Sequence, residues 1–244
     1  MKQRINIIGC EIDNLSMEET LQTIEGFIYS GQSHQHVVVN VDKIVKANKD
    51  PHLLRIINEC ALVNVDGMPV VWASYLLGKP LKERVAGIDL FEKLIQRSAE
   101  KAWRIYFLGA SEEIVSTVNH IYQQKYPNIS IAGYHNGYWT TEEEPGLVAQ
   151  IKNSQTQLLF VALSSPQKEN FLSTYQAQLQ IPFVMGVGGS FDVIAGKIKR
   201  APPWIQKIGF EWFYRFLQEP RRMFKRYFIE DMAFFWLLVK EFLR

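Results

Sequence analysis

Cysteine is scarce in this 244-residue chain, Cys10 and Cys60 being the only two. Each borders an apolar strand-like run, where a free thiol behaves as a small hydrophobe, so no disulfide framework is expected and a reducing cytosol is. Long apolar runs are missing too. The N-terminal MKQRINIIGC holds nothing of signal-peptide length, and Met232–Val239 falls well short of the roughly 20 residues of a spanning helix. No segment that crosses a membrane is expected, while one that lies on it is compatible with these runs. The five histidines show no ligand spacing beyond His34-x-His36, and no Asp-x-Asp pair is present to hold a divalent ion against a diphosphate. No metal and no cofactor are therefore expected. A Gly-x-Ser-x-Gly elbow is absent, which excludes the common serine hydrolase, and Gly186-Val187-Gly188-Gly189 lacks the rest of a nicotinamide fingerprint.

What is present is apolar residues, 47% of the chain against 21% charged, enough for a large core. The net charge of +2 hides an asymmetry. Residues 197–227 carry nine Lys or Arg against two Glu, and the rest of the chain nets −5. A basic patch sits on an acidic body, which excludes a strongly basic nucleic-acid binder but suits an anionic partner.

Strand-like and helix-like stretches alternate. Ile5–Ile8, His36–Val41, Ala61–Val65, Trp103–Leu108, Ile129–Tyr134, Gln157–Leu163 and Phe183–Val187 read as strands, His36–Val41 with the continuous pattern of a strand covered on both faces and Ala61–Val65 as another buried one. Ser16 and Glu19 have capping-box spacing, Gly9–Leu15 reads as a loop, and Asp89 with Glu92 reads as the cap of a helix to about Lys101. The alternation predicts a mainly parallel α/β sheet flanked by helices, Rossmann-like, over residues 1–200. Residues 201–244 form a helical appendage: its last 41 residues hold 13 of the 31 aromatics, and Glu219-Pro220 should break it into two helices. Arg222 and Arg226 would share one face of the second, Phe224 and Phe228 another, which suits an anionic membrane surface. The alternative is an ordinary helix pair with solvated charges.

Ligands in such sheets bind beyond the carboxyl ends of the strands, where Asn40, Asp66, Gly109, Ser164–Gln167 and Gly186–Ser190 fall. Gly186, Gly188 and Gly189, with Ser190 placed to cap a helix, make either an anion cradle or a tight turn. Asp66 is either a general base at a strand end or an Asp-Gly turn and helix cap. Arg84 is either a phosphate clamp or a solvated loop arginine.

Several motifs narrow these alternatives. Asn64-Val65-Asp66-Gly67-Met68-Pro69-Val70, Arg84-Val85-Ala86-Gly87-Ile88-Asp89, Gly186 to Lys197, Arg200-Ala201-Pro202, and Glu211-Trp212 to Tyr214-Arg215 with Glu219-Pro220-Arg221-Arg222 resemble the WecG/TagA/CpsF family of bacterial glycosyltransferases, in order, from about Ile5 to Arg226. The resemblance implies inverting, metal-independent transfer of a sugar from a UDP-sugar to a polyprenyl-diphosphate-linked sugar, in cell-surface polysaccharide or teichoic acid synthesis. It implies an enzyme on the cytoplasmic face of the cell membrane, whose appendage completes the site. A homo-oligomer is compatible with it.

By position, Asp66 matches the family's base, Asn40 and Arg84 match pocket residues, and Arg215, Arg222 and Lys225 match the appendage's basic groups. Two positions depart from the pattern: Val38 stands where Thr is common, and Pro166-Gln167-Lys168-Glu169 replaces Pro-Lys-Gln-Glu. Gln167 and Lys168 are carried as donor-binding residues. N-acetylmannosamine is the first implied donor sugar, a uronic acid or another hexose the alternatives, and Lys168 would suit a carboxylate-bearing sugar.

Overall fold

The computed structural model describes residues 4–207, 209–225, 227 and 230–243, with only the backbone described for Lys207, Arg222 and Lys225. Eight strands and thirteen helices are found among them: β1 Arg4–Ile7, β2 Cys10–Asp13, α1 Met17–Ser30, β3 His34–Val39, α2 Val41–Lys49, α3 Pro51–Glu59, β4 Leu62–Val65, α4 Met68–Leu76, α5 Gly87–Lys101, β5 Arg104–Gly109, α6 Glu112–Lys125, β6 Ser130–His135, α7 Glu144–Asn153, β7 Leu158–Ala162, α8 Gln167–Leu179, β8 Phe183–Gly186, α9 Ser190–Ile194, α10 Pro203–Lys207, α11 Glu211–Gln218, α12 Pro220–Lys225 and α13 Ala233–Phe242.

Six strands form one parallel sheet in the order β4-β3-β8-β7-β5-β6. The expected Rossmann-like architecture is therefore the observed one. Alternate side chains explain why both faces are covered. Ile105, Phe107, Leu158, Phe160, Phe183 and Met185 face α1, α5, α6 and α9. Tyr106, Leu108, Leu159, Val161 and Val184 pack under α7 and α8, while Val37, Val39, Val63 and Val65 pack under α2, α3 and α4. Strands buried on both sides can read as unbroken apolar runs, and β7, LLFVA, has every residue buried.

Three local readings are corrected. Gly9–Leu15 is not a loop, because β2 lies there, paired antiparallel with β1 from Arg4↔Asp13 to Ile7↔Cys10. Asp13 ties this hairpin to the sheet, pairing with Arg4 and accepting from the Val63 N–H at 2.8 Å. The break at Glu219-Pro220 is present, but the appendage holds four helices among the described residues rather than two. Its last helix, α13, buries Phe234 in the core beside α2, so it is not wholly separate from the scaffold. Asp89 is not a cap: α5 begins at Gly87 behind Ala86, with no side-chain cap. Cys10 and Cys60 are free and buried, and burial pushes both thiols up to about 12.

Candidate active site

The sheet order sets the site. Asp66 follows β4, Asn40 follows β3, Gly186 ends β8, and Ser164–Lys168 follow β7, so these groups lie in order across four neighbouring strand ends, paired strands being about 4.8 Å apart. The Asp66 N–H donates to the Val39 carbonyl at 2.9 Å, extending the β3–β4 pairing by one residue. The Val85 N–H donates to the Val65 carbonyl at 3.0 Å, which draws the loop carrying Arg84 alongside Asp66.

The helix-cap reading of Asp66 is excluded by geometry. Gly67, at φ 108, is the N-cap of α4, and no side chain caps it. That positive φ is a conformation glycine alone adopts cheaply, and it turns the chain into α4 without using the Asp66 carboxyl. Asp66 is half-buried. Loss of solvent raises its pKa, the Arg84 guanidinium and the Gly87 N–H lower it, and Glu211 and Asp89 raise it, with a net shift upward. A carboxyl raised in this way is more basic than a solvated aspartate.

The appendage reaches this end of the sheet. Arg84 Nη1 donates to Glu211 Oε2 at 3.3 Å. Arg200 makes a bidentate pair with Asp89, at 2.5 and 2.8 Å, and its Nε lies 3.6 Å from Glu211 Oε1. Asp66, Arg84, Glu211, Arg200 and Asp89 thus form a chain of alternating charge across core, joint and α11. Arg215, one helical turn after Glu211, shares its face of α11. The side chains of Arg222 and Lys225, and residues Arg226 and Phe228, lie outside the described residues. The sequence reading missed the roles of Glu211, Arg200 and Asp89. The available signal was an acid kept within the most basic stretch of the chain.

At the other end of the row, Lys43 Nζ donates to Glu169 Oε1 at 2.8 Å, and Lys168 Nζ lies 3.4 Å from the same oxygen. All three side chains are buried, at 8%, 1% and 9% exposure. Burial, and then Lys43, push the Lys168 amine down to about 8. Glu169 is held at about 2: its burial raises it, but the two ammonium groups beside it prevail.

Lys168 also revises the glycine cradle. A Cβ at Gly186 would collide with Cδ and Cε of Lys168, so this glycine makes room for the lysine chain. The N–H groups of Gly188 and Gly189 bond to no described residue, leaving two donors at the turn. Ser190 does not cap; its hydroxyl turns back to donate to the Val187 carbonyl at 2.8 Å, and Gly189 precedes a helix of only five residues.

Asn40 does cap α2, accepting from the Lys43 N–H at 2.9 Å, while its Nδ2 bonds to no described residue. Gln167 parts from its neighbour Lys168 and opens onto a surface depression lined by Trp139, Glu144, Phe171 and Tyr175. Val38 directs Cγ2 at Gly87, beside the Asp66 carboxyl. Among the described residues, no three of His, Cys, Asp or Glu converge as a metal-binding set. The row of strand ends therefore brings together a carboxyl of raised pKa at one side, cations at both, and between them two backbone N–H groups that bond to no described residue.

The Glycosyl transferase WecG/TagA/CpsF family profile matches residues 5–244. The chain is 34% identical, over 223 residues, to N-acetylglucosaminyldiphosphoundecaprenol N-acetyl-beta-D-mannosaminyltransferase of Staphylococcus aureus (strain MW2), covering 90% of this chain and 87% of that one. The protein of the same name from Staphylococcus aureus (strain NCTC 8325 / PS 47) gives the same identity and coverage.

Proposed function

The chain belongs to the WecG/TagA/CpsF family of glycosyltransferases, and from that premise we propose that it moves N-acetylmannosamine from a UDP-sugar to a sugar carried on polyprenyl diphosphate. The observation that carries this reading is Asp66, raised and uncommitted to any cap, with Arg84 beside it at a strand end.

In this mechanism Asp66 takes the proton of the acceptor hydroxyl as that oxygen forms its bond to the anomeric carbon. The bond from that carbon to the UDP oxygen breaks on the opposite face, so configuration inverts. The charge gathering on the diphosphate is met by Arg84, Arg215, the Gly188 and Gly189 N–H groups and the appendage's Arg222 and Lys225, rather than by a divalent ion. Asn40 keeps its amide nitrogen for the bound sugar.

Residues 201–244 serve as the membrane-facing unit on a core of residues 1–200. Support comes from the lipid-linked acceptor in the relatives' name and from the end of the appendage, where Trp236 and Phe242 of α13 and Leu243 just after it are 77%, 66% and 78% exposed. No helix among the described residues is long and apolar enough to cross a membrane, so the proposed attachment is peripheral, on the cytoplasmic face. Lys168 favours a second donor, a carboxylate-bearing sugar, because two buried ammonium groups share one carboxylate there.

The test is UDP release from UDP-N-acetylmannosamine, with a polyprenyl-diphosphate N-acetylglucosamine acceptor in anionic vesicles. The wild-type chain should turn over, and Asp66→Asn should lose at least about 100-fold while keeping donor affinity. Near-normal turnover by Asp66→Asn removes the base assignment. Greater turnover with a UDP-hexuronate selects the second donor.

A further inference from the structure

Glu211 is an acid in the basic stretch of the chain, and its carboxylate turns to arginines of the loop and the joint while the side chain stays 32% exposed. Its two oxygens face two different guanidiniums, Arg84 at 3.3 Å and Arg200 at 3.6 Å. Arg84 comes from the loop lying along β4, and Arg200 from the joint that is itself clamped to Asp89 on α5. Helix α11 is thereby fastened to the catalytic end through one carboxylate. The Arg84 side chain is only 16% exposed and has no other carboxylate bonded to it among the described residues.

We propose that Glu211 is a positioning residue: it engages the Arg84 guanidinium beside the Asp66 carboxyl, keeping it from pairing with that carboxyl alone, and so couples seating of the appendage to the protonation state of that base. The proposal rests on the reading of Asp66 as the base.

The groups facing Asp66 can be counted element by element. The loop supplies Arg84, α5 supplies the Gly87 N–H and Asp89, and α11 supplies Glu211, while Arg200 neutralises part of Asp89 and Glu211. The residues that follow β3 and open α4, Asn40 and Met68, are neutral. Three carboxyls share two guanidiniums. With Glu211 in place, Arg84 divides its charge between two carboxylates, and a negative charge stands near Asp66. With Glu211 absent, Arg84 is left to Asp66 alone. Both changes favour ionised Asp66, so both lower its pKa. An appendage lifted from the core would therefore leave a weaker base, and a seated one a stronger base.

Glu211→Gln keeps the shape and removes the charge. On the full-length chain without substrate, carbon-13 carboxyl NMR, with Asp66 assigned by its absence in Asp66→Asn, should show Asp66 titrating lower by on the order of half a pH unit. The acid limb of kcat/KM should move the same way. Glu211→Asp, which keeps the charge but withdraws it by one methylene, should give a smaller shift in the same direction, and it stands in should the Gln variant not fold. Asp66 titrating at the wild-type pH in a folded variant overturns the proposal, even if activity falls, because a purely structural anchor would lower activity without moving the titration. The titration needs no turnover. A wild-type chain that transfers nothing would remove the proposed reaction and leave this coupling standing.

Discussion

Arg200 and Asp89, 111 residues apart in sequence, form a bidentate pair at 2.5 and 2.8 Å that fixes the joint between scaffold and appendage to the first turn of α5. A planar fork matched to a carboxylate is specific to arginine. Arg200→Lys is expected to cost about 0.5–1 kcal/mol, since both partners are partly solvated. That corresponds to roughly 1–4 °C in Tm for a chain of this size. In a double-mutant cycle with Asp89→Asn, the two losses should not add. Additive losses in calorimetry would mean that the pair is uncoupled.

Gly186 and Lys168 make a second dependent pair, because the lysine chain occupies the space of a 186 side chain. Gly186→Ala should therefore destabilise by about 1–3 kcal/mol, as overpacking does. Lys168→Ala in the same chain should recover part of that loss. Equal denaturant midpoints for Gly186→Ala with and without the second change would sink this account.

The buried cluster gives a pH signature with a defined sign. Glu169 titrates near 2 in the fold against 4.5 when solvated, so its contribution is complete above about pH 4.5 and is lost as pH falls towards 2. Lys168 titrates near 8 against 10.5, so the folded chain favours the neutral amine, and stability should rise as pH climbs from 8 to 10.5. Chemical denaturation across pH should show the acid loss shrink in Glu169→Gln and the alkaline rise vanish in Lys168→Met. A Glu169→Gln chain with the wild-type acid slope would contradict the assignment.

Much of the scaffold was legible because its sheet is buried on both faces. A strand covered on both faces is predominantly apolar, so β3, β4, β5, β7 and β8 stand out, with the buried His36 of β3 and Asn64 of β4 bonded to each other. Of the hairpin, β1 was legible as the run Ile5–Ile8, but β2 was not: CEID carries two acids in four residues, and its place depends on Asp13 meeting Arg4 and Val63. The position of Asp66 at a strand end was likewise readable from the Asp-Gly following an apolar run.

The purpose of individual polar groups was less legible. Asp89 has the spacing of a cap yet pairs with Arg200, and Gly186 looks like a phosphate turn yet makes room for Lys168. Gln167 and Lys168, adjacent in sequence, point into different environments because successive residues of a helix are about 100° apart.

The sequence by itself determined the α/β alternation, the family resemblance, the strand-end location of Asp66 and Asn40, and the basic, aromatic character of the last 41 residues. Each of these follows from local pattern: apolar periodicity, turn chemistry and composition. Tertiary structure alone decided that Glu211 meets Arg84 across 127 residues and that Lys43, Lys168 and Glu169 share one buried site. Such ion pairs bring together side chains from elements far apart in sequence. Their partners are fixed by the order in which strands pair, which no local pattern records.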